Sequence, residues 1–164
     1  MRESEHYQDG LFVNLMPTQV STPTPQSTSA WSDWIFPPVG KNPSDPLPSL
    51  RFDRERLSDG KFAWLGHSTL LINTAGMTIM TDPVFNRASP IPFGGFPFAM
   101  EQSTTIDDFP SIDAVIISHD HYDHLDHRAI KDLASRVEQF YVPLGIKAYL
   151  QRWGIDENKV IEFD

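Results

Sequence analysis

Three histidines and an aspartate fall at the spacing His119-x-His121-x-Asp123-His124, within Ser118-His119-Asp120-His121-Tyr122-Asp123-His124-Leu125-Asp126. Neutral imidazoles and carboxylates are good ligands for zinc and its neighbours, and residues two and three apart converge readily on a turn. A solitary histidine in a polar loop usually faces water, but four such groups within six residues have no other use as economical. The chain has no cysteine, so a metal must be held by nitrogen and oxygen donors. His119, His121, Asp123 and His124 are therefore the candidate ligands.

The elements that must position them are short. Ala114-Val115-Ile116-Ile117 is apolar, β-branched and bounded by polar residues, so it reads as a buried strand with the ligands at its end. Asp126 is placed to cap a helix over residues 127–136, with Ile130, Leu133 and Ala134 on one face. His127 then belongs to that helix rather than to the ligand set. A strand over 139–142, a helix over 144–152 ended at Gly154 and a last strand over 159–163 follow. Upstream, 61–65, 69–73 and 77–81 are β-favouring runs, the latter two joined through Ala75-Gly76 as a hairpin. This alternation predicts a layered α/β fold.

Two further residues stand at strand ends. His67 lies in the Gly66-His67-Ser68 turn, where it either approaches the site, meets substrate or is an ordinary turn residue. Asp82 precedes Pro83, a combination that also initiates turns without any functional role. The long connection 83–110 is often the functional kind of loop, and its Pro- and Phe-rich centre, 89–100, either lines a channel for an apolar substrate portion or completes the core.

The remaining composition narrows the class. The 164 residues are 40% hydrophobic, enough for one domain, but many of the 14 prolines fall in the first half. Residues 1–59 are expected to form a partly disordered Pro/Ser/Thr-rich leader, with 21–29 reading STPTPQSTS. Trp31, Trp34, Ile35 and Phe36 interrupt it as an aromatic patch, either an anchor on the domain or a partner contact. A net charge of -9 argues against nucleic acid as a partner. A polar N-terminus and no transmembrane-length apolar stretch lead to the expectation of a soluble, cytoplasmic protein.

The histidine motif, with SHDHYDHLD around it and Trp64-Leu65-Gly66-His67-Ser68 and Thr81-Asp82-Pro83 upstream, resembles the metallo-β-lactamase superfamily. Within it the chain is similar to the N-acylphosphatidylethanolamine phospholipase D-like and ascorbate-phosphate lactonase-like branch, over about residues 60–164 and more faintly 6–14. The resemblance implies the N-terminal half of an αβ/βα sandwich, a mixed sheet with helices on one face. It implies two metal ions, zinc first, with manganese or iron as alternatives. His119 and His121 would serve one ion and Asp123 and His124 the other, with Asp123 also catalytic in holding the nucleophile. Asp82 would support a ligand, and His67 would support the site or face substrate. Two such ions activate a shared water as hydroxide, so the implied reaction is hydrolysis of a small or lipid-like phosphodiester or a lactone.

The same resemblance sets a further expectation. Relatives in this superfamily take more ligands from a second half, and no histidine follows His127 here. Residues 60–164 are thus expected to form a C-terminally truncated domain, weak or inactive alone, with the apolar face of its sheet inviting self-association or a complementary chain. The alternative is a non-catalytic interaction module. A nuclease is disfavoured by the acidic balance, and an oxygen-reducing diiron protein by His121, where those relatives commonly carry glutamate.

Overall fold

The computed structural model describes residues 4–16, 40, 42–89 and 95–164. The 21–29 run and the Trp31, Trp34, Ile35 and Phe36 patch lie outside the described residues. Two compact units divide the chain, residues 1–44 with 164 and residues 45–163. In the first, β1 (Tyr7–Gln8) and β2 (Leu11–Phe12) pair as an antiparallel hairpin around Asp9-Gly10. Both turn residues have positive φ, 51° and 84°, the backbone that a two-residue hairpin loop selects Asp-Gly to adopt. Tyr7 and Phe12 stack across the pair, with ring centroids 5.1 Å apart.

In the second unit the alternation of β-favouring runs and turns produces a six-stranded sheet in chain order. Its strands are β3 (Lys61–Gly66), β4 (Thr69–Thr74), β5 (Met77–Thr81), β6 (Ile112–Ile116), β7 (Val137–Pro143) and β8 (Val160–Phe163). β3, β4 and β5 pair antiparallel, and β5 through β8 pair parallel. Only β4 therefore runs against the others, and the C-terminal ends of β3, β5 and β6 share one edge. That edge is where α/β sheets commonly bind ligands.

Side-chain alternation separates two faces. The row Leu71, Met80, Val115, Phe140, Val160, aligned across five strands, is buried. Onto it pack α1 (His127–Leu133), through Ile130 and Leu133, and α2 (Ile146–Arg152), through Ile146 and Leu150. Both helices contribute to the same core, as right-handed crossovers between parallel strands require. The neighbouring row Trp64, Leu70, Thr81, Ile116, Tyr141, Ile161 lies on the opposite face, where Trp64, Ile116 and Ile161 are exposed.

Both helices are shorter than their sequence patterns predict. α1 ends at Leu133 rather than 136 because the chain must turn at once to enter β7; Arg136 N–H closes that turn on Leu133 O. α2 begins at Ile146 rather than 144 because Gly145 is left-handed, φ 89°. Glu162 on β8 then caps it from across the fold, its Oε1 accepting from Gly145 N (2.8 Å) and Lys147 N (3.0 Å).

The 83–110 connection also departs from one expectation. Phe96 and Phe98 do not complete the core but stay at least half exposed, while Phe85 and Phe109 pack inward. A Leu47–Met100 bridge, with Leu47 N–H on Ala99 O and Glu101 N–H on Leu47 O, ties this segment to residue 47. Residues 90–94, including Phe93, lie outside the described residues.

Candidate metal centre

Three strands that end at the shared edge, β3, β5 and β6, each deliver one part of the site. The β3–β4 turn delivers His67 in a left-handed backbone, φ 44°, uncommon for a residue with a side chain. Trp64 Nε1 donates to His67 O at 2.9 Å and Thr81 Oγ1 donates to Ser68 O at 2.9 Å, so the turn is clamped on both sides. The end of β5 delivers Asp82, also left-handed at φ 36° and buried. The end of β6 delivers the ligand loop 118–126.

Asp82 is the hub. Its Oδ1 accepts from Ser118 N (2.7 Å), and its Oδ2 accepts from Ser118 Oγ (2.7 Å) and lies 2.9 Å from His124 Nδ1. The Asp82 side chain thus reaches the ligand loop rather than its own backbone. Ser118 Oγ spends its one proton on Asp82, so His119 Nδ1, 2.9 Å away, must be the donor to that oxygen. His124 Nδ1 faces a carboxylate oxygen and is likewise the donor. In their neutral form both imidazoles then keep Nε2 as a free lone pair, the state that metal ligation requires; only the protonated form of His124 carries the charge that bears on Asp123.

The cluster is tight. His119 and His121 rings lie 4.6 Å apart, His119 and His124 4.0 Å, and His67 and His124 5.2 Å. Asp123 Oδ2 sits 3.0 Å from His67 Nε2 and 3.7 Å from His124 Nε2. Partial burial pushes the Asp123 carboxyl up. Its own backbone N–H, the His124 charge and the hydrogen bond and charge of His67 outweigh that and hold it below the usual carboxylate range. All six residues singled out by motif and turn thus meet at one edge. His127 does not join them; it opens α1 and meets Trp153 with ring centroids 4.7 Å apart and planes tilted by 43°.

Asp126 does more than cap. Its Oδ1 accepts from Arg128 N and Ala129 N, as a helix N-cap does, while Oδ2 accepts from Phe85 N, Asn86 N and Asn86 Nδ2. One buried carboxylate ties the ligand loop to the connection after β5. Nothing local in the sequence signals the second half of that role.

Beside the cluster lies a cavity of about 1260 Å³. It runs between edge strand β3 and the 47–52 and 95–104 segments, with Phe62, Trp64, Phe96, Phe98 and Met100 on its walls, and it reaches His67 and Asp123. Arg51, Arg56 and Lys61 also line it. Arg87 stacks over Phe96 at 4.5 Å.

A donor set of imidazoles and a carboxylate, without thiolates, at the strand ends of an α/β sheet suits a divalent metal. The model of the beta-lactamase superfamily domain matches residues 77–163, and the chain belongs to that superfamily. It is 38% identical over 114 residues to an N-acyl-phosphatidylethanolamine-hydrolyzing phospholipase D of Caenorhabditis elegans, covering 67% of this chain and 32% of that one. An uncharacterized protein of Mycobacterium tuberculosis is 34% identical over 171 aligned positions, covering 99% and 45%. The crystal structure of CmlA, a diiron β-hydroxylase from Streptomyces venezuelae, superposes with a TM-score of 0.50 at 27% identity, over 63% of this chain and 20% of that one. The chain spans less than half the length of these relatives. The fold is α/β with a mixed sheet, of the metallo-β-lactamase type, and among the described residues no helix is long and apolar enough to cross a membrane.

Proposed function

We propose that this chain contributes to a zinc-dependent hydrolase acting on a lipid-like phosphodiester, or on a lactone with an apolar tail. The observation that carries this reading is the cavity: an apolar trough larger than the usual small-molecule site of roughly 300–1,000 Å³ opens directly on the imidazole and carboxylate cluster. An apolar tail between Phe96, Phe98 and Trp64 would bring its polar headgroup to His67 and Asp123. Arg51, Arg56 and Lys61 on the same walls suit an anionic substrate. The similarity to a phospholipid-hydrolysing enzyme supports the same substrate class.

His119 and His121 would hold one ion through Nε2, and Asp123 and His124 a second, with manganese or iron as alternatives to zinc. When bound, the metal supplies Lewis acidity and lowers the pKa of an attached water towards neutrality. The chain's own residues do the rest. Asp82 and Ser118 favour the neutral tautomers that leave Nε2 free, and the Asp123 carboxylate, held below its usual range by its neighbours, would accept a hydrogen bond from the attacking water and keep it aligned. The trough excludes water from the tail. Further ligands would come from the remainder of a longer protein or from a complementary chain, so the 164-residue chain alone is weak or inactive.

Hydrolysis of a long-acyl phosphodiester and of its short-chain analogue tests the proposal, with the chain alone and with the matching C-terminal half of a relative supplied. Phe96→Asp should raise KM for the long-acyl substrate about tenfold and leave the short one unchanged. Equal effects on both would remove the trough from the reading. A second reading, a non-catalytic interaction module, is favoured by the exposed outer row Trp64, Ile116 and Ile161.

A further inference from the structure

Among the described residues, one group brings metal-ligating atoms within 4.8 Å of one another, and it contains His67 together with Asp123 and His124. The motif alone offers only two ligands for the ion at Asp123 and His124, whereas catalytic zinc sites commonly use three from the protein. We propose that His67 is the third: a direct ligand, through Nε2, of the metal held by Asp123 and His124. The proposal rests on the metal-dependent reading above and deepens it.

Two of the three separations suit a ligand set, and the third lies within 4.8 Å. Zinc bound at about 2.0–2.1 Å in tetrahedral fashion places its ligand atoms roughly 3.3 Å apart. Asp123 Oδ2 lies 3.0 Å from His67 Nε2 and 3.7 Å from His124 Nε2, on either side of that value. His124 already presents a free Nε2 because Asp82 occupies its Nδ1. For His67, the proton now shared with Asp123 moves to Nδ1 on the same ring when Nε2 ligates. With more than half of that side chain exposed, water accepts it.

The backbone supports the assignment independently. His67 comes from a turn 56 residues before Asp123, yet its left-handed φ is clamped by the Trp64 indole on its own carbonyl and by Thr81 on the next one. Strain of this kind persists only where the surroundings impose it, and here it aims an imidazole at a carboxylate. Ser68 Oγ, donating to Asp123 O at 3.4 Å, joins the turn to the ligand loop a second time.

A rival role is that of a positioning residue that only orients Asp123 by a hydrogen bond. Glutamine preserves a donor but not an imidazole ligand, so it separates the two. Cobalt(II) and zinc binding to the full 164-residue chain should be followed for wild type, His67→Ala, His67→Gln and, as a control on α1, His127→Ala, with visible absorption reporting cobalt geometry. A ligand role predicts that His67→Ala and His67→Gln both lose at least about 100-fold in affinity for one ion, at or beyond the 10–100-fold typical of an outer partner, and change the cobalt band. His127→Ala should match wild type. Unchanged cobalt absorption in His67→Ala, or full rescue by His67→Gln, would overturn the ligand assignment alone. A wild-type chain that takes up neither ion would overturn the metal-dependent reading itself.

Discussion

Asp82→Asn is the sharpest single perturbation of the site. Asparagine tolerates the left-handed backbone at φ 36°, so the substitution changes side-chain chemistry without adding strain. Three donors converge on the two carboxylate oxygens: Ser118 N, Ser118 Oγ and His124 Nδ1. An amide offers one oxygen and turns an NH₂ towards the rest. If the oxygen stays with Ser118 Oγ and His124, the part-buried Ser118 N–H meets a donor. If it stays with Ser118 N–H, His124 must move its proton to Nε2 to accept from the amide, which removes the lone pair that would bind metal. A fully buried orphaned donor costs about 1–3 kcal/mol; Ser118 is exposed and its N–H can be partly met by water, so with the lost charge-assisted bonds folding should weaken by about 1–3 kcal/mol. Zinc affinity should fall 10–100-fold, about 1.4–2.8 kcal/mol. Urea unfolding and zinc competition against a chromogenic chelator measure the two effects, and ¹⁵N NMR reports the His124 tautomer. Unchanged zinc affinity with an unchanged tautomer would refute the hub assigned to Asp82.

Three further outcomes follow from the same structure. Asp126→Ala removes both the α1 cap and the anchor of Phe85 and Asn86; urea unfolding should show a loss of about 2–4 kcal/mol, beyond the roughly 1 kcal/mol of an ordinary cap. The depressed Asp123 carboxyl gives the metal-free chain a contribution to stability that is present above about pH 4 and lost as pH falls through the folded value. Carbon NMR titration should find it below the usual range in wild type and higher in His67→Ala, because His67 is one of the groups lowering it. Ile161→Lys with Phe163→Lys places charge on exposed edge strand β8, and sedimentation should show self-association of the wild type reduced in the variant; an equally monomeric wild type would count against the outer face as a contact surface.

What the sequence made visible and what it hid divide along physical lines. The strands at 61–81 were plain because alternation and the Ala75-Gly76 turn are local signals, and the ligand loop was plain because four metal-binding groups share six residues. The Asp126 cap was equally local. Hidden features depend on distant partners: Glu162 capping α2, Asp126 reaching Phe85 and Asn86, and Ser118 joining Asp82 to His119. Asp82 and His67 keep ordinary turn roles as alternatives on sequence alone, since only the parallel order of β3, β5 and β6 brings their ends to one edge. The β1–β2 hairpin had an Asp9-Gly10 signal, but two-residue strands are too short for alternation to show. Phe96 and Phe98 looked as fit for the core as for a channel, because hydrophobicity does not say which side of a ribbon a residue faces.

The central claim is that this chain's own imidazoles and carboxylate hold a metal. Elemental analysis of the purified chain, dialysed against zinc and then against buffer, tests it most directly. The account predicts about one ion or more per chain, removed by a chelator and missing when Asp123 and His124 are both replaced by alanine. A folded chain that retains no metal, or an Asp123→Ala/His124→Ala variant with undiminished content, would contradict it.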